Sequence, residues 1–368
     1  MTQQQAQYGE NPVDGLIYSP DQAVTATTNY IQSARDNILK GLGLQFPIPQ
    51  IAAEYPVPPV LPGKVLTVQG KSHNGKSQFL DFWKSDTAKR LMAAQGNDDI
   101  LISVLAEDMV EEQMAVQLMR EAERRNERGQ IETMEGILMV AGHLGSVPIY
   151  YIGASIERAS EKAPAANMTN VEKAIFRIIE RRANKGQKTI VQGIFMDYIQ
   201  AMPLDPALLR EMPDKKRALQ VREDFFTLRN IAARIPAPVV CASQSKQTLE
   251  NAAGPNMQTP GLYDHQETSA IAQHTDSDFS LWMPKTSHPY NEVITHGKDK
   301  PIEFRVVDEL AWLSCNKQRG FDPITLQRLP ANKKWPLKID FKTGEYSLWD
   351  VQQTINMGYV TQAQKGKQ

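Results

Sequence analysis

Residues 65–83 read VLTVQGKSHNGKSQFLDFW. An apolar run ends at Gly70, Gly75-Lys76-Ser77 follows shortly after, and an amphipathic segment comes next. Gly70, Lys71, Ser72, His73, Asn74, Gly75, Lys76 and Ser77 together fit G-x-x-x-x-G-K-[ST] without a gap. Such a loop wraps phosphate oxygens with its backbone N–H groups, and a Cβ at the glycines would obstruct the approach. A helix following it points its positive end at the same anion. In that arrangement Lys76 reaches the β- and γ-phosphates of ATP, and the Ser77 hydroxyl holds Mg²⁺. All eight residues are therefore expected to contact the nucleotide.

Outward from this loop, apolar runs alternate with helical segments. The runs are 65–69, 100–106, 148–152, 189–196, 238–243 and 278–283, and the helices are expected at 76–95, 109–127, 170–184 and 217–235. Short, nearly continuous apolar strands separated by helices imply an α/β fold, with a mostly parallel sheet covered on both faces. Residues 303–350 read as antiparallel strands closing one edge, with a turn at KTGEY, 342–346. Before the loop, residues 1–18 are polar. Ser19, Pro20 and Gln22 supply an N-cap, a first helical residue and a capping-box partner for a helix over 19–42, stopped by Gly41 or Gly43. The proline-rich stretch 44–63 reads as an extended connector. The division is thus a loose 1–18, a helix and connector over 19–63, a catalytic domain over 64–350, and a tail over 351–368.

The chain has 368 residues, 41% apolar and 23% charged, with a formal net charge of −1. These values are those of a globular protein without a global basic field, so any nucleic-acid contact must come from local patches. No charged-then-apolar leader and no spanning apolar run is visible, which fits a cytoplasmic protein with no membrane contact. Cys241 and Cys315 sit in strand-like runs without zinc spacing and read as buried thiols. Met109, Met114 and Met119 read as core packing on a helix face, and His73, His143 and His274 as ordinary loop or core residues.

Hydrolysis requires more than phosphate binding. Asp197 ends the strand 189–196, at the carboxyl edge where α/β sheets bind ligands, and is expected to hold the metal together with Ser77. Glu107 and Asp108 end the strand 100–106. Both compete to orient the attacking water, and Glu107 fits the strand end better. Gln244 follows the strand 238–243, where its amide can sense the γ-phosphate. Lys317 and Arg319 end an apolar strand in LSCNKQRGF, 313–321; alternate residues share a face, so both cations point one way, toward a nucleotide's γ-phosphate.

In this order the fragments resemble the motor domain of the DnaB-type replicative helicases, a branch of the RecA-like P-loop ATPases. GKSHNGKS resembles that family's phosphate loop, and ILISVLAEDMVEEQM its second strand and catalytic Glu. IFMDYIQAM is similar to its Walker B strand, PAPVVCASQSKQTLE to its Ser-Gln strand, and NKQRGF to its finger motif. The match runs from about residue 40 to about 347. The resemblance implies a RecA-like core and a hexameric ring with ATP and Mg²⁺ at the subunit interfaces. It also implies that Lys317 and Arg319 act on the neighbour's nucleotide, and that single-stranded DNA passes through the pore during 5′-to-3′ replicative unwinding. A primase or helicase loader is the implied partner, although only residues 1–63 precede the motor where that family carries a full N-terminal domain. The 19–42 helix takes the place of the linker helix that docks on the adjacent subunit. LYDHQETSAIAQHTDSD resembles the DNA-gripping pore loop, with Gln266 in place of its Arg and Ser269 in place of its Gly, and Glu267 retained. Lys215, Lys216 and Arg217 fall where the second pore loop should lie, so the DNA-contacting set is expected to be Lys215, Lys216, Arg217, Gln266 and Glu267.

Overall fold

Apolar residues on both sides of a strand can be satisfied only by a layer on each face, and the chain builds that arrangement around one sheet. The structure, a computed structural model, describes residues 19–40, 43–54, 60–94, 98–156, 165–204, 217–246, 260–296, 302–319, 322–323, 325–329, 331, 333–349 and 360–362. Six strands run parallel: β1 (Val65–Gly70), β2 (Asp99–Met109), β3 (Ile149–Ala154), β4 (Ile190–Asp197), β5 (Val239–Gln244) and β6 (Ser277–Trp282). β7 (Val293–His296) and β8 (Ile302–Arg305) pair apart from them, with β12 (Val360–Gln362) beside β8. β9 (Leu310–Gln318), β10 (Lys334–Ile339) and β11 (Tyr346–Leu348) complete the large sheet antiparallel, in the order β11-β10-β9-β6-β1-β5-β4-β2-β3.

The helices are α1 (Pro20–Leu39), α2 (Lys76–Ala93), α3 (Val110–Arg124), α4 (Met134–Gly145), α5 (Met168–Ala183), α6 (Arg217–Arg234) and the short α7 (Ala270–His274). On one face of the sheet α2 packs Phe79, Leu80 and Trp83 against Leu66, Val68, Val240 and Phe279. On the other, α5 and α6 pack Ile175, Phe225 and Leu228 against Val65, Ile194 and Val239. Cys241 and Cys315 are buried free thiols, as expected. No helix among the described residues is long and apolar enough to cross a membrane.

The expected strands and helices are present, and the departures have physical causes. α1 is capped as read: Ser19 Oγ accepts from Gln22 N–H at 3.2 Å, and Gln22 Oε1 accepts from Ser19 N–H at 2.8 Å. It ends at Leu39, while Gly41 lies outside the described residues. α4 is a helix that the alternation does not predict, because Gly136, Gly142 and Gly145 interrupt its apolar spacing; Thr133 starts it by accepting from Gly136 N–H. β2 runs on through Met109, so α3 begins one residue later than expected. The methionine stripe is not core: Met109 lies in β2 and Met119 is exposed. α3 instead buries Gln113, Gln117 and Ala122, because it docks on α2 through polar contacts to Asp81, from Gln113 at 2.6 Å and Arg120 at 3.1 Å.

The proline-rich stretch is likewise no loose connector. Leu44 bridges to Val60, and Leu44, Phe46, Ile48 and Ile51 are buried. The Phe46 ring stacks on Trp83 with centroids 5.0 Å apart and meets Phe279 edge-on at 4.9 Å. Leu44, Phe46, Ile48, Ile51 and Val60 thus belong to the core, although a chain rich in proline reads as extended. The 342–346 turn joins β10 to β11, with Asp340 accepting from Lys342 N–H and Gly344 in the left-handed region.

Phe46→Ala is expected to cost about 3–5 kcal/mol in denaturant unfolding, the range for a fully buried phenylalanine. A cost under about 1 kcal/mol would show that this segment detaches as a linker.

Candidate nucleotide-binding site

The loop Gly70–Ser77 leaves the carboxyl end of β1 and enters α2 directly. Its residues are held mainly by neighbours. A Cβ at Gly70 would stand 2.7 Å from Leu281 O. Gly75 has φ +74°, and a Cβ there would meet the Tyr346 hydroxyl at 2.7 Å. Glycine at both positions is therefore demanded by the protein's own packing as well as by any phosphate. The Asn74 side chain turns inward, its Oδ1 accepting from Met283 N–H at 2.7 Å and from the Thr286 hydroxyl at 3.2 Å, so it braces the loop. Gly75 gives α2 no side-chain cap, which leaves the N–H groups of its first turn facing the loop for an anion. Lys76 Nζ folds onto Lys71 O at 2.7 Å. Burial lowers its pKa to about 8, against the opposing pull of Asp197.

Asp197 sits at the end of β4 and is hydrogen-bonded to Ser77. Burial pushes its pKa up to about 6, only partly offset by Ser77 and Lys76, while Asp81 and Asp108 push it further up. Its Oδ1 is buried without a hydrogen-bond partner. An orphaned, desolvated carboxylate oxygen beside a serine hydroxyl is the donor set that suits Mg²⁺, which is shared with phosphates and water rather than caged by protein. Among the described residues there is no cluster of three His, Cys, Asp or Glu that could hold a metal ion.

Glu107 and Asp108 lie in a register shift of β2 against β3: Val104 pairs with Ile152, and the next pair is Met109 with Ala154. The extra residues bulge at the carboxyl edge, as bulges do where a side chain must be re-aimed. The hydroxyl of Tyr198, next to Asp197, is bonded to Glu107. Asp108 has its pKa raised by burial and then by Glu107, Asp81 and Glu112. Gln244, at the end of β5, donates through Nε2 to Ser72 Oγ at 2.6 Å, so the expected sensor already touches the loop. Because β1, β5, β4 and β2 are neighbours in the sheet, these groups converge at one edge.

Lys317 and Arg319 do not join them. Lys317 pairs with Asp278, which pairs with Thr67. Arg319 N–H donates to Asp276 O, and Asp276 N–H to Val65 O. At about 3.3 Å per residue, Arg319 stands roughly 17 Å along the strands from Gly70, at the opposite edge. Lys317 Nζ donates to Ala272 O at 2.5 Å. Its pKa is lowered to about 8 by burial, then by Arg319, with Arg229 adding to it. The nearby His274 is lowered too, by burial first and then by Arg229, Arg319, Lys317 and Arg222. Lys317 and Arg319 thus belong to a larger patch of cations. Arg222 and Arg229, spaced seven residues apart on one face of α6, were visible in the sequence only through that spacing.

No protein-family model matches the chain. Stretches of 110 residues are 30% identical to a probable plasmid replicative DNA helicase of Chlamydia muridarum (strain MoPn / Nigg) and 29% identical to one of Chlamydia trachomatis serovar L2, covering 30% of this chain and 22% of each relative. The chain thus spans about a fifth of the length of these curated relatives. Among solved structures, an isolated ATPase domain superposes with a TM-score of 0.62 at 14% identity, over 91% of this chain and all of that one. A DnaB-like replicative helicase, solved with attention to its interactions with primase, superposes with a TM-score of 0.60 at 15% identity, over 90% of this chain and 68% of that one. The fold is that of a DnaB-like helicase ATPase domain.

On this DnaB-like frame the expected DNA-contacting residues fall in three places. Lys215 and Lys216 lie outside the described residues. Arg217 turns its guanidinium onto the carbonyls of Gln200 and Met202, the latter at 2.8 Å, and so braces the segment after β4. Gln266 and Glu267 lie beside the sensor, with Gln266 N–H donating to Gln244 O at 2.7 Å and Glu267 exposed at φ +71°. The reading from residues alone missed Gln200 and His265, both buried next to Gln244.

Nucleotide affinity should be bell-shaped in pH. Asp197 must be deprotonated to meet a cation, so Mg²⁺-dependent affinity falls as pH drops below about 6; Lys76 must be charged to meet a phosphate, so affinity falls above about 8. Titration with a fluorescent ATP analogue checks both limbs. Asp197→Asn should remove the acid limb together with the Mg²⁺ dependence, and a flat profile in the parent protein would contradict these assignments.

Proposed function

We propose that this chain is an ATP-driven, ring-forming translocase on single-stranded DNA, a replicative helicase motor of the DnaB type running 5′ to 3′. The observation that carries the reading is the separation of two half-sites. The phosphate loop, Asp197, Glu107 and Gln244 stand at one sheet edge, and a cation patch with depressed lysine and histidine pKa values stands at the other. Neither is complete alone, and a ring of identical chains brings one to the other.

In this reading Gly70–Ser77 bind the triphosphate, Lys76 neutralises its outer phosphates, and Ser77 with Asp197 hold Mg²⁺, which neutralises charge developing on the phosphoryl oxygens. Glu107, steadied by Tyr198, orients the attacking water, and Gln244 senses the γ-phosphate. Lys317 and Arg319 of the neighbouring copy stabilise the transition state, a contribution of about 10³–10⁵ in rate. α1 stands almost wholly in solvent, with Val24 and Leu39 exposed. An isolated helix of 20 residues with an exposed apolar stripe is marginal in water, which supports its role as a linker helix covered by the next subunit. The motor then spans 43–350, with Gln266, Glu267, Lys215 and Lys216 toward the pore and Arg217 as a brace. A primase or loader would meet the ring outside the motor, and a cytoplasmic location accompanies replication.

One observation favours a second reading, an ATPase ring that assembles or regulates without unwinding. Gln266 and Glu267 offer no cation, and Arg217 is committed to carbonyls, so the described pore residues give little to hold phosphates.

Two measurements test these readings. Arg319→Ala subunits mixed with Lys76→Ala subunits should recover part of the ATPase activity that each lacks alone, since some interfaces then carry both intact halves. If no mixture recovers activity, catalysis across the interface is wrong. Single-stranded DNA should stimulate hydrolysis, with log K falling against log[salt] at about −0.7 per phosphate contacted. Absence of both effects selects the non-translocating ring.

A further inference from the structure

On the sheet face opposite α2, the middle strands present a row of polar side chains where an apolar layer would be expected. Thr67 and Gln69 on β1, Ser243 on β5 and Asp278 on β6 are all buried. The segment from Pro260 to Gln266 seals this row, and His265, with no exposure, lies at its centre. His265 Nδ1 is 2.8 Å from Ser243 Oγ, and Nε2 is 3.2 Å from Asp278 Oδ1.

Donor accounting gives the chain a direction. Ser243 Oγ accepts from Gln200 Nε2 at 2.9 Å, so its own hydrogen is available to His265 Nδ1. His265 Nε2 lies 3.2 Å from Asp278 Oδ1 but is not aligned for a hydrogen bond, so the two meet as a close polar contact and not as a donated bond. Asp278 receives the Thr67 hydroxyl at 2.6 Å, the Gln69 amide at 2.8 Å and the Asn316 amide at 2.9 Å. Three donors hold the carboxylate, and His265 Nε2 stands beside it as a close contact. Each buried link left unmade would carry a desolvation penalty, so the row behaves as a unit.

Its ends are functional places. Gln200 Oε1 accepts from Gln244 N–H at 3.0 Å, and Gln244 touches Ser72 of the phosphate loop. Asn316 immediately precedes Lys317 and also donates to Pro260 O at 3.1 Å. His265 reaches across β1, hydrogen-bonded to Ser243 on β5 and in close contact with Asp278 on β6.

We propose that His265 is a positioning residue that links the phosphate sensor at Gln244 to the finger strand at Asn316–Lys317, so that a nucleotide at one sheet edge alters the cations presented at the other. The proposal rests on the ATPase reading above.

Hydrogen exchange on the full chain, with and without Mg²⁺ and a non-hydrolysable ATP analogue, tests it. In the parent protein the analogue should slow exchange at 70–77, at 260–274 and at 310–318. His265→Leu fills similar space without polar links. It should bind the analogue within about threefold of the parent and keep protection at 70–77, yet lose it at 310–318. Ser243→Ala, which cuts the same link from the other side and leaves the loop untouched, should lose the same protection. His265→Gln, which can still reach Asp278, should recover part of it. Unchanged protection at 310–318 in both breaking variants overturns the proposal. So does equal loss at 70–77 and 310–318, which would make His265 mere packing. If the parent itself shows no protection at 70–77, the nucleotide reading falls and this inference falls with it.

Discussion

β1 is paired along both sides, to β5 and β6, and all six of its residues are buried. That confinement decides where everything else can be. A strand fixed on both flanks and both faces can shift in neither register nor tilt, so the loop after Gly70 leaves the sheet at one defined point. The uncapped start of α2 is then aimed by Phe79 and Trp83 packing beneath it. Asp197, Glu107 and Gln244 need only end their own strands in register to arrive at the same place, which is the general reason that ligands gather at the carboxyl edge of a parallel sheet.

The electrostatics of the two edges are complementary in what they lack. At one, burial raises the pKa of Asp197 to about 6 and lowers that of Lys76 to about 8, each only partly offset by the other. At the other, burial and then the neighbouring cations lower Lys317 and His274, with Asp278 and Asp276 opposing the shift at Lys317. The polar row under His265 lies between the two, with Asp278 held by Thr67, Gln69 and Asn316.

Local chemistry made much of this legible from residues alone. G-x-x-x-x-G-K-S is a contiguous constraint, and apolar runs ending in Asp197 and Gln244 report strand ends directly, while Glu107 lies in a bulge before the end of β2. Ser19, Pro20 and Gln22 named the start of α1. Structure that depends on distant partners was not legible. Phe46 is core only because Trp83 and Phe279 are brought to it, so a proline-rich stretch passed for a connector. Met119 obeys helical spacing, but α3 is docked by Asp81, Gln113 and Arg120, and the methionine is left outside. The opposite placement of Lys317 and Gly70 follows from β9 running antiparallel to β6, which no local pattern states. The alternation of Asp278 with Phe279 and Ser280 with Leu281 did mark a polar face in β6, and could have drawn attention to His265.

The contact between Tyr346 and the loop has a consequence for biosynthesis. The Tyr346 hydroxyl donates to Gly75 O at 3.0 Å, across 271 positions of chain, and its ring packs on Phe79. During translation the residues of the loop emerge long before the strand that braces them. A ribosome-bound chain stalled short of Tyr346 would carry an unsupported loop, so the loop is braced only once the chain has been made past that strand.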